Sequence, residues 1–222
     1  STPSVSEIKD TQVFRTAIQD AADRHSAGAA VTVYSADEYA DMRLFMTEDG
    51  TAGFALDGDD IVSMFKDPES QHKGWAVYAL RLATEEGGKR LDAFDTILPK
   101  IYARAGFQPV GRTKFVDEFR PEGWKYDQFS EFNEGRPDVV AMRYQPESSG
   151  LYQPGSGRSF DDYDQMIEAA REPSRVTGFH GTKSEFDKFD LFGAGQSDPG
   201  VVGRAVYFSP TEAQARAFAE SP

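Results

Sequence analysis

Residues 71–76 read QHKGWA, between an extended run, DIVSMFK (60–66), and a helical one, AVYALRLATEE (76–86). A glycine behind a lysine at the mouth of a helix has two readings. One is an ordinary turn that contains Gly74. The other is an anion loop, in which bare backbone amides and the positive end of the helix dipole converge on a phosphate. The helix itself stops at Gly87-Gly88, where a left-handed C-terminal cap is expected.

Upstream, TQVFRTAIQDAADRH (11–25) has apolar residues at 13, 14, 17, 18, 21 and 22, the period of a helix stripe. AAVTVYS (29–35), YADMRLFMT (39–47) and TAGFAL (51–56) read as strands; Glu48-Asp49-Gly50 joins the last two as a hairpin, and Asp57-Gly58-Asp59 turns into DIVSMFK. Downstream, RLDAFD (90–95) reads as a strand and TILPKIYARAGF (96–107) as a helix with Pro99 in its first turn and Gly106 past its end. QPVGRTKFVDEF (108–119) and RPDVVAMRYQ (136–145) read as two more strands. The order is helix, four strands, helix, strand, helix, two strands. It predicts an α/β (α+β) fold with a mixed, mostly antiparallel sheet flanked by helices.

Composition narrows the classes. With 222 residues, 39% of them hydrophobic and 13% aromatic, the chain can bury a substantial core. A net charge of −13, with 24 basic residues scattered among 37 acidic ones, argues against nucleic acid and anionic membranes as partners. No apolar run approaches the roughly 18–20 residues of a membrane span, and STPSVSEIKD lacks the form of a secretory signal, so a cytoplasmic location is expected. There is no cysteine, and the three histidines stand far apart at 25, 72 and 180, so no metal site is expected.

The order of elements and the spacing Gln71-x-x-Gly74-x-Ala76 resemble the GCN5-related N-acetyltransferases, as does Tyr102-x-x-x-Gly106-Phe107 in the next helix. The resemblance covers roughly residues 8–146. It implies acetyl-CoA as cofactor and an amine acceptor, a small molecule or a protein. Amides of Gln71, His72, Lys73, Gly74, Trp75 and Ala76 would hold the pyrophosphate, and unpaired backbone around Ser63, Met64 and Phe65 would hold the pantetheine arm. Asp67 and Glu69, directly before the loop, would repel a phosphate. Tyr102 matches the family's usual acid for the leaving thiolate, or is a half-buried core tyrosine. Asp92 and Asp95 flank the fifth strand and stand as proton relays or as structural residues, Asp95 also as the cap of the helix after it. The aromatics of WKYDQF (124–129) read as core or contact residues.

PESSGLYQPGSGRS (146–159) is rich in Ser, Gly and Pro, and 147–174 reads as a linker with a short helix, FDDYDQMIEAARE. Beyond it, 175–222 is similar to the front part of the ADP-ribosyltransferase domains of phage and mobile-element polyvalent proteins. The matching residues are His180, Gly181 and Thr182, then Tyr207, Phe208 and Ser209. The likeness implies a partial NAD site without the later catalytic glutamate, a segment that self-associates, and a longer polypeptide around this chain. Two alternatives therefore stand beside acetyl transfer: a non-catalytic structural module of a phage protein, and part of an NAD-dependent ADP-ribosyltransferase.

Overall fold

Asp10 begins the first helix, α1 (Thr11–Arg24), its Oδ1 accepting from the amides of Gln12 and Val13. The apolar stripe read from the sequence puts Phe14, Ile18 and Ala21 into the core. The computed structural model describes residues 3–171.

Eight strands form one sheet: β1 (Val5–Ile8), β2 (Arg43–Thr47), β3 (Ala52–Asp57), β4 (Asp60–Lys66), β5 (Arg90–Phe94), β6 (Phe107–Thr113), β7 (Val139–Tyr144) and β8 (Arg158–Phe160). Their spatial order is β1-β2-β3-β4-β5-β7-β6-β8, antiparallel except for β4–β5 and β6–β8. This is the mixed, mostly antiparallel architecture expected. Alternation sorts the side chains onto two faces. Phe45, Phe54, Val140 and Met142 join the core under α3 (Trp75–Glu85) and α4 (Leu98–Ala103). Leu44 and Met46 meet α1, and Ala141 meets α5 (Tyr163–Arg171), on the opposite face.

The strand read over 108–119 ends at Thr113, with a 3-10 turn at Asp117–Phe119, and three other segments differ more from the sequence reading. AAVTVYS is not a strand: Gly28–Ala30 is a 3-10 turn, and the chain then runs extended into α2 (Ala36–Ala40). A capping box drives that helix, since Ser35 Oγ accepts from the Glu38 amide while Glu38 Oε2 accepts from the Ser35 amide. Val31, Val33 and Tyr34 pack partly buried against the α1 core without entering a ladder. Conversely, VSEI near the N-terminus pairs with β2 as an edge strand although its own pattern is half polar.

The third difference lies in the expected linker. Its short helix is present as α5, but β8 pairs in parallel with β6 through Gly111↔Arg158, Arg112↔Ser159 and Thr113↔Phe160. Met166 and Ala170 of α5 are buried against the same sheet. Glycine at 111 permits the approach, because a Cβ there would lie 2.8 Å from Met166 Cγ and 3.1 Å from the Phe160 ring. The packed fold therefore continues through residue 171. Among the described residues no helix is long and apolar enough to cross a membrane.

Candidate active site

Strands β4 and β5 are paired at a single position, Asp60↔Arg90, and separate beyond it. The divergence comes with a bulge: the β3–β4 register passes from Ala55↔Val62 to Gly53↔Phe65, and Ser63 takes φ +52°. Ser63 Oγ is engaged with Tyr39 Oη at 2.8 Å and the Thr32 carbonyl at 3.1 Å. Phe65 is buried in the α1 core, while Met64 is partly buried against the core on the other face of the sheet.

At the end of β4 the chain turns through QHKGWA. Gly74 is the residue before α3 and sits at φ +69°, a conformation glycine adopts without strain. No side chain caps the helix, and a Cβ at Gly74 would meet nothing within 4 Å. Two of the amides expected for a phosphate are already committed: that of Lys73 donates to the Gln71 carbonyl and that of His72 to Ser70 Oγ. Those of Gly74, Trp75 and Ala76 surround the uncapped end. The His72 ring is held by Asp49, Nε2 to Oδ2 at 2.9 Å, and Gln71 Nε2 donates to the Glu69 carbonyl. Trp75 is buried in the main core, with Nε1 lacking a partner among the described residues. The Asp67 carboxylate does not face the loop as a free charge, because Arg24 Nη1 lies 2.6 Å from its Oδ2.

Tyr102 comes from α4 and is buried; its hydroxyl has no hydrogen-bond partner among the described residues. Burial, and then the charge of Asp92, pushes its pKa up to about 12. Asp92 is reached by solvent, yet the protein crowding around it raises its pKa, against a hydrogen bond from Tyr163 Oη at 3.2 Å and the charge of Arg90. Asp60 is pushed up to about 7, first by burial, with Arg90 opposing and Asp92, Asp57 and Asp59 adding to it. Tyr34 is raised by burial and by Asp92 and Asp60.

Asp95 is placed elsewhere and caps nothing; α4 starts at Leu98, whose amide donates to Thr96 Oγ1. Its carboxylate belongs to a network around Arg112, which donates to Asp95 at 3.1 Å and Asp138 at 2.7 Å, while Tyr152 Oη donates to Asp95 at 2.6 Å. That makes Asp95 a structural anchor of the chain after β7. Of the WKYDQF aromatics, Trp124 and Phe129 are buried: Trp124 stacks on Phe129 at 4.0 Å, gives its Nε1 hydrogen to the Gly135 carbonyl, and packs on Phe94 at the end of β5, while half-buried Tyr126 donates to Asp117 at 2.7 Å.

Of the residues read from the sequence, Asp92 stands on β5 two positions past Arg90, Tyr102 on α4, and Gly74 before α3 after the end of β4. The sequence reading did not single out Asp60, Tyr34 or Tyr163, which it placed at the start of a strand, within a strand and in a short helix after the linker. Two shallow clefts lie elsewhere on the surface, one of about 440 Å³ beside Arg81, Arg104 and Tyr144, and one of about 510 Å³ beside Asp95, Phe132 and Arg136. No group of three metal-ligating side chains occurs among the described residues. His180, Gly181, Thr182, Tyr207 and Ser209 lie outside the described residues.

No protein-family profile matches the chain, and no curated protein matches it. Similar solved structures include a GCN5-related N-acetyltransferase from Rhodopseudomonas palustris, at 16% identity over 65% of this chain and 96% of that one, with a TM-score of 0.42. Another is apo YjaB from Escherichia coli, at 12% identity over 65% of this chain and 98% of that one, with a TM-score of 0.38. Neither likeness bears on the chemistry, which rests on the site's own residues.

Proposed function

We propose that the chain transfers an acetyl group from acetyl-CoA to an amine. The observation that carries the reading is the divergence of β4 and β5 after Asp60↔Arg90, with the uncapped start of α3 at one end and Asp92 and Tyr102 beside the gap. The residues fit the cofactor in kind. Gly74 leaves open space and free helix-end amides for a pyrophosphate, the Arg24–Asp67 pair removes a repelling charge, and the bulged β4 edge can receive an extended amide chain as a further strand would.

When bound, acetyl-CoA supplies an activated acetyl group as a thioester. The chain's part is proton handling and positioning. An amine must lose its proton to be nucleophilic, and Asp92 is the carboxylate at the gap that can take it. Asp60 and Asp92 together attract a cationic amine, in keeping with the acidic chain. Tyr102 Oη keeps its proton well above neutral pH and so remains a donor at the gap.

The test is calorimetric titration with acetyl-CoA together with a thermal shift. Binding should raise the melting temperature, since a ligand that binds only the folded state stabilises it. Absence of both heat and shift at millimolar ligand sinks the reading. It would favour a second one, a non-catalytic module of this fold, in keeping with the committed amides of His72 and Lys73 in the loop.

A further inference from the structure

Helix α5 opens with Tyr163, and this side chain reaches back to β5, where its Oη donates to Asp92 Oδ2 at 3.2 Å across 71 positions of sequence. Packing does not require the hydroxyl. Tyr163 is 46% exposed, whereas the helix is anchored by buried Met166 and Ala170, by Arg143 Nη1 donating to the Ala170 carbonyl, and by Asp162 Oδ1 accepting from the Gln165 amide. The phenol is thus spent on a carboxylate rather than on the core. Asp92 lies two residues beyond Arg90, the last β5 position paired to β4, and on the same face of the sheet as α5.

We propose that Tyr163 is a positioning residue for Asp92, fixing the carboxylate at the β4–β5 divergence in its charged form, so that β8 and α5 complete the amine-activating site. The inference rests on the acetyl-transfer reading above. The groups around Asp92 are Asp60 on β4 with Asp57 and Asp59 behind it, Arg90 on β5, Tyr102 on α4, Tyr34 ahead of α2, and Tyr163 itself. Arg90 is the cation in this set, and its Nε is committed to Asp59 at 2.8 Å, so it leaves room for a second group that favours the carboxylate. A hydrogen bond donated to a carboxylate lowers its pKa, and a Phe at 163 keeps the ring while removing that donor.

The experiment compares wild type with Tyr163→Phe in the full chain. Carboxyl carbon NMR follows the titration of Asp92, thiol release from acetyl-CoA with poly-L-lysine gives kcat/KM against pH, and calorimetry gives acetyl-CoA affinity. In the variant the Asp92 midpoint should rise by about one pH unit, the acid limb of kcat/KM should move up with it, and acetyl-CoA affinity and melting temperature should stay unchanged. Below the limb, activity falls about tenfold, because the base is charged a tenth as often. An Asp92 midpoint that stays in place overturns the inference. A midpoint that moves while the acid limb does not also overturns it, since Asp92 would then not be the amine's base. A wild-type chain that gives no acetyl-CoA isotherm sinks the acetyl-transfer reading and this inference together, and the isotherm reports that before any variant is made.

Discussion

Asp60 and Arg90 form the one residue pair at which β4 and β5 meet as strands, and the Arg90 side chain strengthens that corner by donating from Nε to Asp59 at 2.8 Å. The amides of Lys89 and Arg90 also donate to the Asp59 carbonyl. With the strands tied at this end and the β4 bulge bending them apart, the opening of the gap has a fixed starting point. Asp92, two residues further on, is held beside it.

Tyr102→Phe separates chemistry from binding. The substitution removes a hydroxyl that has no hydrogen-bond partner among the described residues, so stability should change little. If the phenol is the proton donor, turnover falls by about 10²–10⁴ with acetyl-CoA affinity nearly unchanged. Steady-state kinetics beside a calorimetric titration check this, and unaltered turnover removes Tyr102 from the mechanism.

Gly74→Glu addresses the loop. Open space around Gly74 means that the new side chain meets no protein atom, although φ +69° strains any Cβ by about 1 kcal/mol. The fold should therefore survive, while bulk and negative charge stand where a pyrophosphate would approach. We expect acetyl-CoA binding to be lost with an unchanged circular dichroism spectrum; retained binding would show that the phosphate is held elsewhere.

What could be read from the chain depended on how local the cause was. The α1 stripe, the Glu48-Asp49-Gly50 hairpin and Gly74 before α3 are each written within a few residues, and each appears in the structure. Helix α2 was equally local, through Ser35 and Glu38, but Val31, Val33 and Tyr34 imitate a strand and hide it. The Tyr163–Asp92 contact has no local signature, because it depends on β8 joining β6 and carrying α5 back over the sheet. Asp95 misleads for the same reason: its partners Arg112 and Tyr152 are 17 and 57 positions away.

Arg112→Met tests that structural network. Arg112 is buried and serves Asp95, Asp138, Tyr152 and the Ser156 carbonyl at once, so its loss strands two partly buried carboxylates against each other. We expect about 2–4 kcal/mol lower stability in urea. A change under about 0.5 kcal/mol, typical of exposed pairs, would mean that the network is not holding the 146–157 segment in place.

Asp60→Asn should change how stability varies with pH. The carboxyl of Asp60 is pushed up from an ordinary 3.8 to about 7 by burial, so between those values the folded state binds a proton that the unfolded state has released. Stability contributed by this group is therefore lost as pH rises through that window, and the loss is complete above about pH 7. Three units correspond to about 4 kcal/mol; Asp92, Asp57 and Asp59 share the repulsion and Arg90 opposes it, so we expect about 1–3 kcal/mol for Asp60 alone. Asparagine cannot ionise, and Arg90 keeps its bond to Asp59, so the variant should gain on wild type at pH 8 and show little gain at pH 4. Melting temperatures of the two proteins across pH 4–8 decide the matter. Parallel curves would mean that Asp60 is as easily charged in the fold as in water, and that the β4–β5 corner does not hold its carboxyl protonated near neutral pH.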